Sequence, residues 1–596
     1  MPFGAEIVDD GVQFSLYAPD VDAIDLLIAG RAEARMIGDN GFKRAHVPDA
    51  RAGDLYSYRL PNGLIIPDPA SRFQPQGVTG PSEIIDPQSY AWRNKDWRGR
   101  PWNEAVLYEA HIGAATEQGT YHAFADRLDE LADLGVTLIE LMPLAQWRGE
   151  RNWGYDGVLP FAPANSYGRP EDLKALVDKA HGLGLMIVID VVYNHFGPSG
   201  NYLNNYARSF FTNRHETPWG EAINYDDEGQ DVTRAFFIHN ALYWIEEFNV
   251  DGLRLDAVHA IHDHSDKHIL LDIAQSVKDA CPDRHVHLFL ENEENQARWL
   301  AREEDTLTPR YYTAQWNDDA HHCWHALLSG EQEGYYIDFA DDPAARLARA
   351  LTEGFAYQGD RSIFRKGEPR GERSSHLHPT AFIDFLQNHD QIGNRAFGER
   401  IDALVPPERL TMAREVLLLS PHIPMLFMGE EWASSKPFLY FVDFVDEPEL
   451  ARAVFEGRQK EFASFKDFGA DEAAIPDPNA LDTFLQTRIA LEERNLPHHN
   501  SAYERTRKLL QLRRSFVAPL LATGFRGASQ NNSFINDLID LSWRFDAGTL
   551  RIAMNVGAHD VETPLVEGVI FYASDAIQRE AESIRLPPWS MIAIRS

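Results

Sequence analysis

The chain has 596 residues, too many for a single hydrophobic core, and 44% hydrophobic with 25% charged residues is the composition of a globular protein. Its 91 acidic residues outnumber 56 basic ones, which gives a formal net charge of −35. Nucleic acids and anionic membranes bind basic surfaces, so we expect neither as a partner, and a neutral or cationic ligand is favoured.

The number of cysteines and the length of the apolar runs indicate the cellular compartment of the protein. The two cysteines, Cys281 and Cys323, suit a reducing cytosol better than a disulfide scaffold. The first residues have neither the basic region nor the apolar segment of a signal peptide. No apolar run reaches the roughly 18 residues of a membrane span. We therefore expect a cytoplasmic protein, and the sequence leaves its oligomeric state open.

The first hundred residues predict a β-domain. Short runs of alternating apolar residues at 12–17, 23–28 and 56–60 are separated by turn-forming residues. That pattern is typical of half-buried strands. We expect residues 1–100 to form a small β-sandwich.

From about residue 104, predicted strands and helices alternate. Apolar runs predict eight strands, at 105–111, 136–142, 185–193, 250–257, 285–291, 312–316, 381–387 and 423–428. Helical periodicity is found at 120–134, 170–181, 232–248, 268–280, 407–419 and 503–514. Strands buried on both faces are near-continuously apolar. The sequence thus predicts an α/β fold with a (β/α)₈ TIM barrel over 101–522, interrupted by insertions near 199–230, 330–378 and 432–500, and a C-terminal β-domain over 523–596.

Charged residues occur within or directly after several predicted barrel strands. Arg254 and Asp256 are two residues apart in the fourth, so they share one face. Burying them is costly unless they are paired and used. Glu291 is expected to close the fifth strand and Asp390 the seventh. Since active sites of such barrels lie at the carboxyl ends of the strands, we expect the three carboxylates in one site.

A pair of carboxylates suits the cleavage of an acetal. One stays ionised as a nucleophile, and the other carries the proton for the leaving oxygen. Arg254 favours the ionised form of Asp256, whereas the apolar residues before Glu291 favour a protonated carboxyl group. We therefore predict Asp256 as nucleophile and Glu291 as acid/base. Asp390 is expected to hold sugar hydroxyls and to stabilise positive charge in the transition state.

Four motifs carry a family resemblance. Residues 190–195, which include Asp190, Asn194 and His195, residues 252–256, Glu291 and residues 388–390 resemble, in order and position, the conserved regions of the α-amylase superfamily, glycoside hydrolase family 13. The resemblance implies the same barrel and hydrolysis with retention of anomeric configuration. The N-terminal β-domain is similar to the carbohydrate-binding-type module of branching and debranching members. We predict no cofactor.

Further motifs resemble those of one family within this superfamily. Residues 153–158, 314–319, 388–400 and 427–432 are similar to those of the maltooligosyltrehalose trehalohydrolase family, and the likeness covers nearly the whole chain. Members of that family hydrolyse the α-1,4 bond next to the terminal trehalose of maltooligosyl trehalose. The resemblance therefore implies this α-glucan as substrate.

The same resemblance implies substrate-binding residues. Tyr155 would stack on the sugar at the cleaved bond, and His195 and His389 would bind its hydroxyls. The remaining expected residues are Trp316, Asp318 and Asp319 near the trehalose-side subsites, with Arg254, His259, Gln391 and Asn394. One departure is Glu293 and Glu294, where the family leads us to expect Asp, which puts subsite detail rather than catalysis in question.

Two groups of histidines raise the question of a metal. His259, His262 and His264 flank Asp263 but lack an established ligand spacing. The group at 321–325 lacks the glutamate of the zinc-protease pattern. We predict no metal site. His259 is expected to line the sugar site, His262 and His264 to lie at a solvated helix start, and the second group to have a packed or surface role.

Two alternative functions remain open. A debranching or branching enzyme for α-1,6 bonds belongs to the same superfamily and shares the N-terminal module. A non-catalytic α-glucan-binding protein is the alternative from a different class, although such proteins usually lack one of the catalytic carboxylates. The products formed from maltooligosyl trehalose distinguish the three.

Overall fold

The computed structural model describes residues 2–304, 306–463, 475–531 and 537–596. Eight parallel strands close into a barrel, in which the eighth strand pairs with the first. The barrel strands are Leu107–Ala110, Leu138–Leu141, Met186–Val191, Gly252–Leu255, His287–Leu290, Ala314–Trp316, Phe382–Asp384 and Ile423–Phe427. All eight predicted strands are present in the predicted order, which confirms the (β/α)₈ barrel.

Helices follow the barrel strands and continue beyond the eighth strand. They are Tyr121–Ala125, Leu128–Leu134, Pro170–Gly182, Gln230–Glu247, Ile269–Ala280, Asp318–Ser329, Pro343–Glu353, His389–Gly393, Ile401–Leu404, Pro407–Leu419, Pro448–Ala463, Leu481–Thr487, Pro497–Leu512 and Ala518–Leu521. The single helix predicted over 120–134 is two short helices. Thr120 caps the first, and Gly135, with φ 110°, ends the second. Within the described ranges, no helix is both long and apolar enough to cross a bilayer.

The N-terminal part consists of two antiparallel sheets. Its strands are Gly4–Val8, Gly11–Tyr17, Ile24–Ile28, Ala34–Met36, Phe42–Val47, Leu55–Arg59, Ile65–Ile66 and Ser82–Glu83. The ring of Phe14 in one sheet meets the ring of Tyr56 in the other, with centroids 5.1 Å apart. The sheets therefore share a buried core, as a sandwich does.

The C-terminal part also has two antiparallel sheets, of five and three strands. Its strands are Phe525–Gln530, Leu538–Phe545, Gly548–Asn555, Val561–Pro564, Val569–Ala573, Gln578–Arg579, Ser583–Leu586 and Ser590–Arg595. Leu538 and Ile592 of the larger sheet and Ile584 of the smaller one lie in one buried apolar cluster. The strand-rich C-terminal domain is thereby confirmed.

The barrel interior changes from apolar to charged along its axis. Leu107, Leu138 and Val188 belong to the apolar cluster in the part of the interior nearer the amino ends of the strands. Two residues further along the same strands, on the same face, come three buried acids: Glu109, Glu140 and Asp190. Arg254 is the register partner of Asp190 on the neighbouring strand. Strand periodicity thus places a layer of charge directly below the carboxyl ends of the strands.

Candidate active site

Arg254 is the centre of the charged layer. Its side chain is fully buried, and Nη1 donates to Asp190 Oδ2 at 2.6 Å and to Asp256 Oδ1 at 2.8 Å. Nη2 donates to Glu291 Oε2 at 2.7 Å. The guanidinium carbon lies 4.1 Å from the centroid of the Trp316 ring. Burial opposes its charge, but the surrounding carboxylates raise the pKa of Arg254 well above its usual range.

The surroundings of Glu291 differ from the sequence-based expectation. Besides the bond from Arg254, its Oε2 accepts a hydrogen bond from the backbone N–H of Ala257 at 2.9 Å. The expectation of an apolar setting is therefore wrong. Asp256 is held similarly, since its Oδ2 accepts from Asn194 Nδ2 at 2.7 Å. Arg254 fixes the orientation of both carboxylates and does not by itself distinguish the nucleophile from the acid.

Tyr155 connects this layer to two predicted histidines. Its hydroxyl donates to Asp190 Oδ2 at 2.7 Å, and its ring stacks on His389 with centroids 5.1 Å apart. Its backbone oxygen lies 3.0 Å from His195 Nε2. Burial raises the pKa of Asp190 to about 7, although the positive charge of Arg254 opposes that rise.

Asp390 does not lie at a strand end. The strand predicted over 381–387 is only Phe382–Asp384, and Asp390 lies in the first turn of the helix His389–Gly393. The side chain of Asn388 caps that helix and accepts from the backbone N–H of Asp390 at 2.8 Å. The cap directs the first helical turn towards the barrel mouth.

His389 is a second buried cation of the site. Its Nδ1 lies 2.5 Å from Glu109 Oε1 and its Nε2 lies 3.4 Å from Asp390 Oδ1. Burial disfavours the charged imidazole, but the carboxylates of Asp390 and Glu109 outweigh it and raise the pKa of His389 to about 9. His389 is therefore protonated at neutral pH.

A cavity of about 300 Å³ opens above these groups. It is lined by His259, Glu291, Glu293, Asp318, His322, Tyr335, Asp338, Phe339, Phe364, Arg365, Arg370, Asp390, Gln391 and Asn394. We call it the cleft. Six residues expected at the site line it: His259, Glu291, Asp318, Asp390, Gln391 and Asn394.

Asp318 lies in a strongly acidic part of the cleft. Burial, together with the charges of Glu291 and Asp390, raises its pKa well above the usual range, against the opposing charge of Arg370. A protonated carboxyl group can donate a hydrogen bond as well as accept one. Asp318 is thereby suited to contact sugar hydroxyls.

Trp316 and Asp319 lie beneath the cleft rather than in it. Trp316 is 1% exposed and Asp319 is fully buried. Asp319 accepts from Asn295 Nδ2 at 3.0 Å and pairs with Arg370 at 2.8 Å. Asp319, expected near the trehalose-side subsites, thus supports Arg370, which lines the cleft, whereas Trp316, expected in the same place, packs against Arg254.

His195 lies at a second cavity, of about 250 Å³. Its imidazole stacks on Trp219, with ring centroids 4.3 Å apart and planes 5° from parallel. Trp219 is half exposed. The pair forms a flat aromatic surface beside the barrel mouth, of the kind that packs against sugar rings.

Several residues that line the cleft or the second cavity were not found from the sequence. Tyr335 and Phe364 come from the insertion at 330–378, and Trp219 comes from the one at 199–230. The sequence analysis identified both segments only as insertions. Their aromatic content was the available signal, but no periodicity placed it near the strand ends.

The loop after Glu291 is joined to an insertion by charge. Glu293 and Glu294, the two departures from the family pattern, pair with Arg365 at 3.2 and 2.6 Å. His322, expected to have a packed or surface role, instead lines the cleft. The ion pairs of Arg365 thus join the insertion at 330–378 to the loop that follows Glu291.

A closed (β/α)₈ barrel with an arginine-centred set of carboxylates at the carboxyl ends of its strands is the arrangement that the resemblance to glycoside hydrolases of the α-amylase superfamily implies. Comparison with family models agrees. The alpha amylase catalytic domain matches residues 87–239, and a domain of unknown function, DUF3459, matches residues 536–592.

Comparison with individual proteins identifies the family within this superfamily. The chain is 44% identical over 462 residues to the malto-oligosyltrehalose trehalohydrolase of Saccharolobus solfataricus, covering 77% of this chain and 80% of the relative. It is 36% identical over 604 residues to that of Rhizobium sp. strain M-11, covering 99% of each. A crystal structure of a Salmonella typhimurium protein assigned to the alpha amylases has 44% identity and a TM-score of 0.94, covering 100% of this chain and 99% of that one. The chain belongs to the malto-oligosyltrehalose trehalohydrolase family.

Proposed function

We propose that this protein hydrolyses the α-1,4-glucosidic bond next to the terminal trehalose of maltooligosyl trehalose, releasing trehalose and a shortened maltooligosaccharide. The observation that carries the proposal is the likeness to a trehalohydrolase over 99% of both chains. That likeness includes the insertions that form the cleft walls as well as the barrel common to the superfamily.

The proposed reaction uses two carboxylates in turn. Asp256 attacks the anomeric carbon while Glu291 gives its proton to the oxygen of the departing trehalose. Glu291 then takes a proton from water, which attacks the glycosyl–Asp256 ester and releases the sugar with its original configuration. Arg254 holds both carboxylates in place through 2.8 and 2.7 Å bonds. Asp390 stabilises positive charge on the sugar ring.

The lining of the cleft supports a sugar ligand. Asp318, Gln391 and Asn394 offer hydrogen-bonding groups, and Tyr335 and Phe364 offer aromatic surface. A sugar has hydroxyls on its edge and apolar C–H faces, so this mixture suits both. The family resemblance adds Tyr155, His195 and His389 as sugar-binding residues.

Product analysis tests the proposal. The purified enzyme is incubated with maltooligosyl trehalose, with a linear maltooligosaccharide of equal glucose number and with a branched glucan, and the products are separated by chromatography. We expect trehalose from the first substrate at a rate well above cleavage of the other two. Debranching without trehalose release would support the α-1,6 alternative, and binding without products would support the non-catalytic one. An Asp256→Ala preparation serves as the blank.

We also propose a cytoplasmic location. Cys281 and Cys323 are both free thiols, which suits a reducing compartment. Fractionation of cells that produce the protein, with detection by antibody, is the test. Recovery in the medium or in an envelope fraction would contradict it.

A further inference from the structure

Three potential metal ligands meet outside the cleft. They are His215, Asp226 and His264, and their donor atoms all lie within 4.8 Å of one another. Asp226 Oδ2 is 3.0 Å from His215 Nε2 and 3.7 Å from His264 Nδ1. The sequence analysis predicted no metal here because it considered His264 only with its neighbours in the chain.

The three residues come from separate segments. His215 lies in the strand Phe211–Thr217, which forms a hairpin with Gly220–Ile223, and Asp226 follows that hairpin. His264 lies in the loop between the fourth barrel strand and the helix Ile269–Ala280. Folding alone brings them together.

We propose that His215, Asp226 and His264 bind a divalent transition-metal ion, and we take Zn²⁺ as the ion with which to test the site. Imidazole nitrogens and a carboxylate oxygen are ordinary zinc ligands, with bonds of about 2.0–2.2 Å. In a tetrahedral site with such bonds, neighbouring donors lie about 3.4 Å apart. The two Asp226–histidine distances of 3.0 and 3.7 Å bracket that value, and all the donor atoms lie within 4.8 Å, so binding an ion requires only a small adjustment of the side chains.

The fourth position is open to solvent. The side chain of His264 is 72% exposed, so a water molecule can reach the ion. His262 stacks on His215 with ring centroids 5.1 Å apart but contributes no donor atom to the group.

The charges around Asp226 favour a cation. Its side chain is only 1% exposed, and a buried carboxylate is costly unless a positive partner or hydrogen bonds compensate it. The backbone N–H of His264 donates to it at 3.0 Å. Arg214 Nη1 lies 3.7 Å from Oδ1, but that side chain is 48% exposed and its charge is screened. His215 Nε2 lies within hydrogen-bond distance of both carboxylate oxygens, and a bound ion would take the place of the proton between them.

A bound ion would join the hairpin to the loop after the fourth strand. The hairpin turn carries Trp219, which stacks on His195. The loop carries His259, which lines the cleft. Because the ion binds the folded state, zinc should also raise Tm in a concentration-dependent way.

Zinc titration of the untagged, chelator-treated full chain tests the proposal. Calorimetry is expected to show one equivalent bound, and Co²⁺ to give the visible absorption of a tetrahedral nitrogen and oxygen site. His215→Ala, Asp226→Asn and His264→Ala should each weaken zinc binding at least ten-fold. The control is His46→Ala, since His46 pairs with Asp10 at 3.0 Å on the N-terminal sheets and should not affect binding.

Each outcome decides the proposal. If His215→Ala fails to fold, the exposed His264 gives the decisive variant, and its Tm should no longer respond to zinc. Stoichiometric binding that all three variants retain would overturn the site. The same holds if the wild type binds no zinc, or if His46→Ala lowers affinity as much as the others.

Discussion

At the scale of single residues, the site depends on two buried cations among many acids. Arg254 contacts Asp190, Asp256 and Glu291 at once, and His389 lies between Glu109 and Asp390. Each cation offsets carboxylates that would otherwise repel one another or bind protons. The catalytic roles of Asp256, Glu291 and Asp390 stay predictions.

Removing either reacting carboxylate should abolish turnover. We expect Asp256→Ala and Glu291→Gln each to lower kcat on maltooligosyl trehalose by roughly three or more orders of magnitude. The residues that bind the substrate cannot take over the bond formation and proton transfer of these two groups. Glu293→Gln is the matched control, since Glu293 lines the same cleft but pairs with Arg365. It should stay within about ten-fold of wild type. Near-normal kcat in either of the first two variants would refute the assignment.

His389 should make stability fall in alkaline solution. Its pKa rises from 6.5 to about 9 on folding, so its stabilising contribution is complete below about pH 6.5 and is lost as pH rises through about 9. A shift of that size corresponds to about 3 kcal/mol at most. Scanning calorimetry across this range should show Tm of the wild type falling more steeply than Tm of His389→Gln. A His46→Gln control should keep the wild-type slope; equal slopes in all three proteins would contradict the prediction.

At the scale of elements, the fourth barrel strand is closely confined by its neighbours. It presents Arg254 to the interior, and Asp256 follows its end directly. Gly252, two residues before Arg254, lies on the same face. A Cβ there would come within 1.9 Å of the carbonyl oxygen of His287 on the fifth strand.

Gly252→Ala should therefore separate the fourth and fifth strands. We expect a loss of at least about 1–3 kcal/mol in the free energy of unfolding, and reduced kcat because Arg254 moves. Gly457→Ala is the control: Gly457 lies in the helix Pro448–Ala463, and an added Cβ meets nothing within 4 Å. That change should leave Tm unchanged or slightly raised. Equal Tm values for the two variants, measured by calorimetry, would show that the barrel tolerates the added methyl group.

Elements also show what the sequence could and could not predict. Continuous apolar runs predicted all eight barrel strands, and charged residues in such runs led to Arg254 and Asp256. The same signal was present at Glu109 and Glu140, which the sequence analysis did not use. Trp219 and Tyr335 lie in insertions without periodicity, and their positions depend on long-range packing that no local pattern encodes.

At the scale of the molecule, side-chain contacts join the barrel to the N-terminal and the C-terminal β-sheets. Phe3 packs edge-on against Phe236 of a barrel helix, with ring centroids 5.3 Å apart. On the other side, Trp543 Nε1 donates to the backbone oxygen of Leu351 at 2.9 Å. The domain boundaries predicted after residues 100 and 522 stay predictions.

Truncating Trp543 should weaken the attachment of the C-terminal strands. Its side chain is fully buried, and removal of a buried aromatic ring typically costs about 3–5 kcal/mol. We expect Trp543→Ala to lower Tm clearly in scanning calorimetry. Trp219→Ala is the comparison, because Trp219 is half exposed and should alter Tm little. A Trp543→Ala protein with the Tm of the wild type would show that this contact does not stabilise the molecule.

Closure of the barrel has a consequence for synthesis in the cell. The first strand pairs with the eighth, as Leu107 opposite Met425, so one edge of the first strand stays unpaired until the eighth leaves the ribosome. At about 5–20 residues per second, that interval is on the order of tens of seconds. Unpaired strand edges recruit other chains. The nascent chain therefore exposes this edge to association with other chains for longer than a chain built from local contacts does.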